Sequence, residues 1–152
     1  MKKPLKEPEP PLLRYRRRQE ALAGALTASD MGALLLTPGP SLVYLAGLHF
    51  HSSERPVIAV FTPGAPVAIA LPELEMQKLA GLPYPVRSFS YGEEPSTWPE
   101  TFKAVIESAG LQRVRVGVEP TRLRYLELSL VLPHLQDGQL APAGHVRASL
   151  DR

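Results

Sequence analysis

Short apolar runs bounded by proline and glycine alternate along this chain with longer segments of helical period. Leu12, Tyr15, Gln19, Leu22 and Leu26 recur every three or four positions with arginines between them, predicting an amphipathic helix over residues 12–27 that Asp30 and Gly32 end. Residues 33–37 are an apolar run closed by Pro38, Gly39 and Pro40, the length and punctuation of a buried strand. A short helix is expected next, with Ser41 as its cap, Leu42, Val43 and Leu45 facing the core, and Gly47 in the left-handed position after its end. Residues 56–61 and 66–71 are aliphatic runs on either side of Thr62, Pro63, Gly64 and Ala65. Pro then Gly at the central positions is a type II turn signal, so this pair reads as a hairpin. Pro72, Glu73 and Glu75 open a short helix that Gly81 closes, and residues 86–91 form a strand. Thr97 and Glu100 spell a capping box ahead of the face Phe102, Val105, Ile106 and Ala109, which ends at Gly110. A strand over 114–118, a helix capped by Thr121 with Leu123, Leu126 and Leu130 inward until Pro133, and a last strand over 139–141 complete the set.

Six strands interleaved with helices imply an α/β fold, and the tight hairpin makes the sheet mixed. With 152 residues, 44% hydrophobic and 21% charged, the chain fits one domain with one core. Pro4, Pro8, Pro10 and Pro11 keep the beginning extended, so residues 1–11 read as a proline-rich basic tail, 12–147 as the domain and 148–152 as the start of a linker.

The sequence pI near 9.0 raises the question of a nucleic-acid partner. Residues 1–20 hold seven basic against three acidic side chains, a net of +4, and the chain's +2 then leaves the remainder at −2. The basicity is local, which argues against a phosphate-tracking face; the arginines from 14 to 18 read as the solvated side of the first helix. No apolar run approaches the roughly 18 residues of a membrane span. The basic N-terminus lacks the apolar region of a signal peptide, and cysteine is absent, so a cytoplasmic protein is expected.

Polar chemistry collects in the loop between the short helix and the hairpin. His49, His51 and Glu54 spell H-x-H-x-x-E, and on extended backbone the two imidazoles would share a face, as a transition metal needs. Arg55 competes for Glu54, and neither a third ligand nor a nearby base is evident. The segment around Gly39 has one glycine between two prolines without N–H donors, which disfavours phosphate binding. No G-x-S-x-G occurs. Glu93 and Glu94 read as solvated charge, His134 as a partner for carbonyls at a helix end, and Trp98 as a packing residue.

Four segments in order, ALLLTPGPSLVYLAG, Arg55 ahead of a strand, VIAVFTPGAPVAIALPELE and VRVGVEP, resemble the N-terminal domain of the creatinase/prolidase family of metallopeptidase-like proteins. The Tyr-Leu-x-Gly of that family is matched by Tyr44, Leu45, Ala46 and Gly47, its following arginine by Arg55, and its I-G-V-E by Val116, Gly117, Val118 and Glu119. The resemblance spans about residues 14–147 and implies a mixed six-stranded sheet flanked by helices, of ribonuclease H-like topology. It departs from the family at Pro40 and Ser41, where asparagine is common, and at Leu150, where the linker usually has lysine.

The resemblance also implies that two divalent metal ions belong to a separate C-terminal pita-bread domain with Asp, Asp, His, Glu and Glu ligands, a set that nothing here matches. It implies a homodimer, or docking on that catalytic domain, and action on proline-containing peptides in the full-length context. By position, Tyr44, His49, His51 and Arg55 become candidates for touching substrate or partner. Three functions follow: a non-catalytic domain supporting a Xaa-Pro peptidase; a pseudoenzyme module that binds peptide or protein; or a small metal enzyme built on His49, His51 and Glu54.

Overall fold

The computed structural model describes residues 8–51, 53–136 and 139–150. The expectations for residues 1–7 of the tail and for 151–152 of the linker lie outside it. Helix α1 (Pro11–Ala28) opens on Pro10 as its cap and Pro11 at its first position. Strand β1 (Ala33–Leu36) leads into α2 (Pro40–Ala46), and β2 (Ile58–Phe61) and β3 (Val67–Pro72) form the hairpin. A 3-10 turn (Glu73–Leu79) precedes β4 (Val86–Tyr91); then come α3 (Trp98–Ser108), β5 (Val116–Val118), α4 (Tyr125–Val131), β6 (Leu140–Pro142) and α5 (Gly144–Leu150).

The sheet runs β4-β3-β2-β1-β5-β6. Only β2 is antiparallel to its neighbours, with Leu35 opposite Val60 and Ala59 opposite Ile69, while β1 pairs parallel with β5 from Ala33 and Val116 onward. The expected mixed six-stranded α/β sheet is therefore the one observed.

Every residue of β1, β2 and β3 is buried, because both faces of the sheet are covered. Alternation sends Leu34, Leu36, Ala59, Phe61, Ile69 and Leu71 to one face, under Leu22 and Leu26 of α1, Leu42 and Leu45 of α2 and Val146 of α5. It sends Ala33, Leu35, Ile58, Val60, Ala68 and Ala70 to the other, under Phe102, Val105 and Ile106 of α3 and Val131 of α4. The edge strand β4 carries exposed Arg87, Ser88 and Ser90, polar side chains that discourage pairing with another sheet edge.

Gly64 takes φ +77° and the Ala65 N–H donates to the Thr62 carbonyl at 3.1 Å, completing the expected turn. Other local expectations are corrected. Ser41 is not a cap: Pro40 occupies the first helical position, Gly39 the cap, and the Ser41 hydroxyl donates to Glu119 at 2.6 Å. The capping box of Thr97 and Glu100 does not form, because Thr97 is already helical at the end of a 3-10 turn and its hydroxyl donates back to the Glu94 carbonyl.

Residues after β5 first make a turn on the Glu119 carbonyl, so α4 starts at Tyr125 rather than at Thr121. That delay rotates the helix, burying Glu127 and Val131 and leaving Leu123, Leu126 and Leu130 half-buried. The strands expected over 114–118 and 139–141 are β5 and β6, at 116–118 and 140–142. Helix α5 is an addition, packed onto the core through Val146 and Leu150.

Gly117 lies in the centre of β5, where a Cβ would stand 2.9 Å from Ala143 and 3.0 Å from the Met31 sulfur. Gly24, halfway along α1, has nothing within 4 Å of such a Cβ. Gly117→Ala should therefore lower stability by about 1–3 kcal/mol through overpacking, and Gly24→Ala should raise it by up to about 1 kcal/mol through helix propensity. Thermal and denaturant melts of the two variants give opposite signs if this packing is right.

Candidate functional site

The loop that carries His49, His51 and Arg55 leaves the C-terminal end of α2, and that end is fixed from three directions. Helix ends leave carbonyls without partners. Here Arg18 donates to the Tyr44 carbonyl at 2.8 Å, Gln19 to that of Leu45 at 3.0 Å and the Tyr84 hydroxyl to that of Ala46 at 2.6 Å. Gly47 turns the chain at φ +71° with its N–H on the Val43 carbonyl, and a Cβ there would lie 2.5 Å from the Tyr15 hydroxyl oxygen. The Arg18 guanidinium also stacks 4.1 Å from the centre of the Tyr44 ring. Tyr44, half-buried, thus belongs to the packing around α1.

Further along, the His49 carbonyl accepts from the Lys78 ammonium at 2.7 Å, and that ammonium lies 4.6 Å from the Phe50 ring and 3.0 Å from Glu75. The Ser53 carbonyl accepts from Arg124 at 2.5 Å, and its hydroxyl accepts from the Arg55 N–H at 3.1 Å. The backbone is held on both sides of two exposed imidazoles, His49 and His51. Among the described residues no group of three His, Cys, Asp or Glu side chains comes together to hold a metal, so His49, His51 and Glu54 do not form one.

Arg55 reaches the residues that follow β3 and β4. Its guanidinium grips both oxygens of Glu93, at 2.9 and 3.2 Å, at the rim of a depression of about 360 Å³ shared with Pro72, Leu74, Tyr91 and Gly92. Beneath it the Tyr91 hydroxyl donates to the Pro56 carbonyl at 2.7 Å. The sequence-predicted residues accordingly divide: Tyr44 is half-buried against Arg18 of α1, the two histidines are solvent-facing, and Arg55 borders a concave surface.

Three residues outside the sequence-derived set shape this region. Glu93, solvated as expected with 70% of its side chain exposed, is also the partner of Arg55. Glu127, with 0% of its side chain exposed, receives Arg124 through Nε at 2.9 Å and Nη2 at 2.5 Å, and Arg124 uses its remaining nitrogen on Ser53. Arg124 followed three positions later by Glu127 is the available signal, hidden when the helix cap is placed at Thr121 and not at Arg124.

Residues 18–151 match the family model described as the creatinase/prolidase N-terminal domain. The chain belongs to that family. Among solved structures it is similar to dipeptidase PepE from Mycobacterium ulcerans (23% identity, TM-score 0.74), covering 94% of this chain and 38% of that one. It is also similar to a dipeptidase from Pyrococcus horikoshii (19%, TM-score 0.73; 88% and 36%). A Creatine_N superfamily domain of a dipeptidase from Streptococcus thermophilus matches over 88% of this chain and 97% of that one (16%, TM-score 0.72). The chain thus spans little more than a third of the two dipeptidases and nearly all of the separate domain. No curated protein matches its sequence. As a creatinase/prolidase N-terminal domain, it has Gly47 and Gly117 at points where backbone and packing leave little choice of residue. Among the described residues no helix is long and apolar enough to cross a membrane.

Two measurements check this geometry. Arg124→Ala leaves the Glu127 carboxylate buried without its ion partner and should cost about 3 kcal/mol, with faster hydrogen exchange in residues 53–57. Burial pushes the phenols of Tyr84 and Tyr91 well above the ordinary 10.0; Tyr15 adds to this for Tyr84, while for Tyr91 Arg55 and Arg124 oppose it and Glu127 adds to it. Both phenols keep their protons in the folded state after the unfolded chain has begun to lose them. Their contribution is therefore whole below about pH 10 and drains away as pH rises beyond it. Tyr84→Phe and Tyr91→Phe should each flatten the alkaline limb of melting temperature against pH.

Proposed function

We propose that this domain is a non-catalytic part of a Xaa-Pro dipeptidase or aminopeptidase system, supporting dimerisation and one wall of the substrate pocket. The observation that carries the reading is the family match over residues 18–151, joined to solved dipeptidases of which such a domain is just over a third. In this reading hydrolysis and its two divalent metal ions belong to a C-terminal catalytic domain, and the chain is inactive by itself. The His49 to Arg55 loop supports the wall role: its backbone is pinned by Lys78 and Arg124 while His49 and His51 remain open to solvent and Arg55 borders a depression. A proline-containing peptide is the proposed substrate of the complete system, in a reducing, cytoplasmic setting that suits a chain without cysteine.

Incubation of the chain with Xaa-Pro dipeptides and manganese, cobalt or zinc should give no proline release above a metal-only blank. Metal-dependent turnover that persists through repurification would overturn the non-catalytic assignment.

A further inference from the structure

The expected apolar stripe of α1 is only partly used by the core. Leu22 and Leu26 are 1% and 0% exposed, whereas Leu12 and Leu13 are 39% and 48% exposed. Beside this uncovered first turn runs a groove of about 420 Å³ between α1 and the β2–β3 turn, with Leu12, Arg16, Glu20 and Ala23 on one side and Pro63 and Pro66 on the other. Arg16 and Glu20 stand one helical turn apart and are both exposed, and among the described residues neither takes a salt bridge or side-chain hydrogen bond within the chain. By contrast Arg17, next in sequence, is paired with Glu9.

We infer that the exposed face of α1 beside this groove is the contact surface for a second copy of the chain, with the two α1 helices crossing antiparallel about a two-fold axis between Arg16 and Glu20. An isologous contact must be complementary to itself. This helix face meets that condition in charge and in shape. About such an axis Arg16 of one copy faces Glu20 of the other, twice over. The same operation places the exposed Leu12 and Leu13 over Gly24 and Ala23, and at Gly24 even an added Cβ would meet nothing within 4 Å. Large apolar side chains thus meet small ones, and two cations meet two anions. The inference rests on the proposed role in dimerisation and supplies its surface.

Sedimentation equilibrium on the intact chain tests it through charge exchange. Arg16→Glu and Glu20→Arg should each weaken the dimer by about tenfold or more, since either change sets like charges together at both symmetry-related sites. The double variant R16E/E20R restores both pairs and should return the affinity to near its original value. Gly24→Arg should abolish the dimer while leaving the monomer folded by circular dichroism, because its side chain occupies space that is open only in the monomer. A dimer indifferent to all four variants would overturn the inference, leave the dimerising role in place on another face, and leave the groove to a different partner. A chain that remains monomeric at its highest soluble concentration would overturn both the surface and the dimerising role.

Discussion

A helix of seven residues has almost as many unpaired carbonyls as paired ones, and α2 ends within the protein rather than in water. Its last three carbonyls must each find a donor there, since a desolvated carbonyl without one costs about 1–3 kcal/mol. Arg18, Gln19 and Tyr84 supply them, and in doing so they tie α1, the end of β1's following helix and the segment before β4 into one arrangement. The Arg18 guanidinium on the Tyr44 ring and the Tyr15 ring against Tyr84, at 5.8 Å, fill the space around those donors. Gly47 then has one direction in which to send the chain.

The loop that follows depends on charge in a different way. Glu127 is wholly buried on a half-buried helix, a position that favours an apolar residue unless the carboxylate is fully used. Arg124 uses it, and the cation is thereby held where it also reaches the Ser53 carbonyl. A buried ion pair adds little net stability on average. Its effect here is positional: one end of a solvent-facing loop is tied to the covered face of α4. Lys78 ties the other end from a 3-10 turn that itself buries no residue.

What was legible in the sequence follows the reach of each signal. Apolar runs and turn residues are local, so the six strands, the Pro63 and Gly64 turn, the left-handed position of Gly47 and the helix end at Gly110 are all legible from neighbours in the chain. Capping was less legible, because Ser41, Thr97 and Thr121 each compete with prolines or with a preceding turn for the start of a helix. Least legible were contacts made across the fold. Nothing near Glu93 in sequence indicates Arg55, and nothing near Ser53 indicates Arg124. The four candidate site residues share one stretch of sequence, yet Tyr44 packs under Arg18 of α1 whereas Arg55 reaches Glu93 beyond β4. Helix α5 is not legible because its large apolar positions, Val146 and Leu150, are too few to show a helical period and gain meaning against the core.

The pairing of β1 with β5 carries a consequence for how this protein is made. β2 and β3 meet through a four-residue turn and can pair as soon as they leave the ribosome, but the other edge of β1 waits for Val116 to Val118, and Ala143 and Val146 arrive later still. Contacts between segments so far apart in sequence form slowly. Until then a growing chain presents one side of its central strand and part of the face beneath α1 to whatever is nearby, so synthesis of this domain passes through an interval in which a wholly apolar strand is half-covered. The interval closes only once α5 has packed.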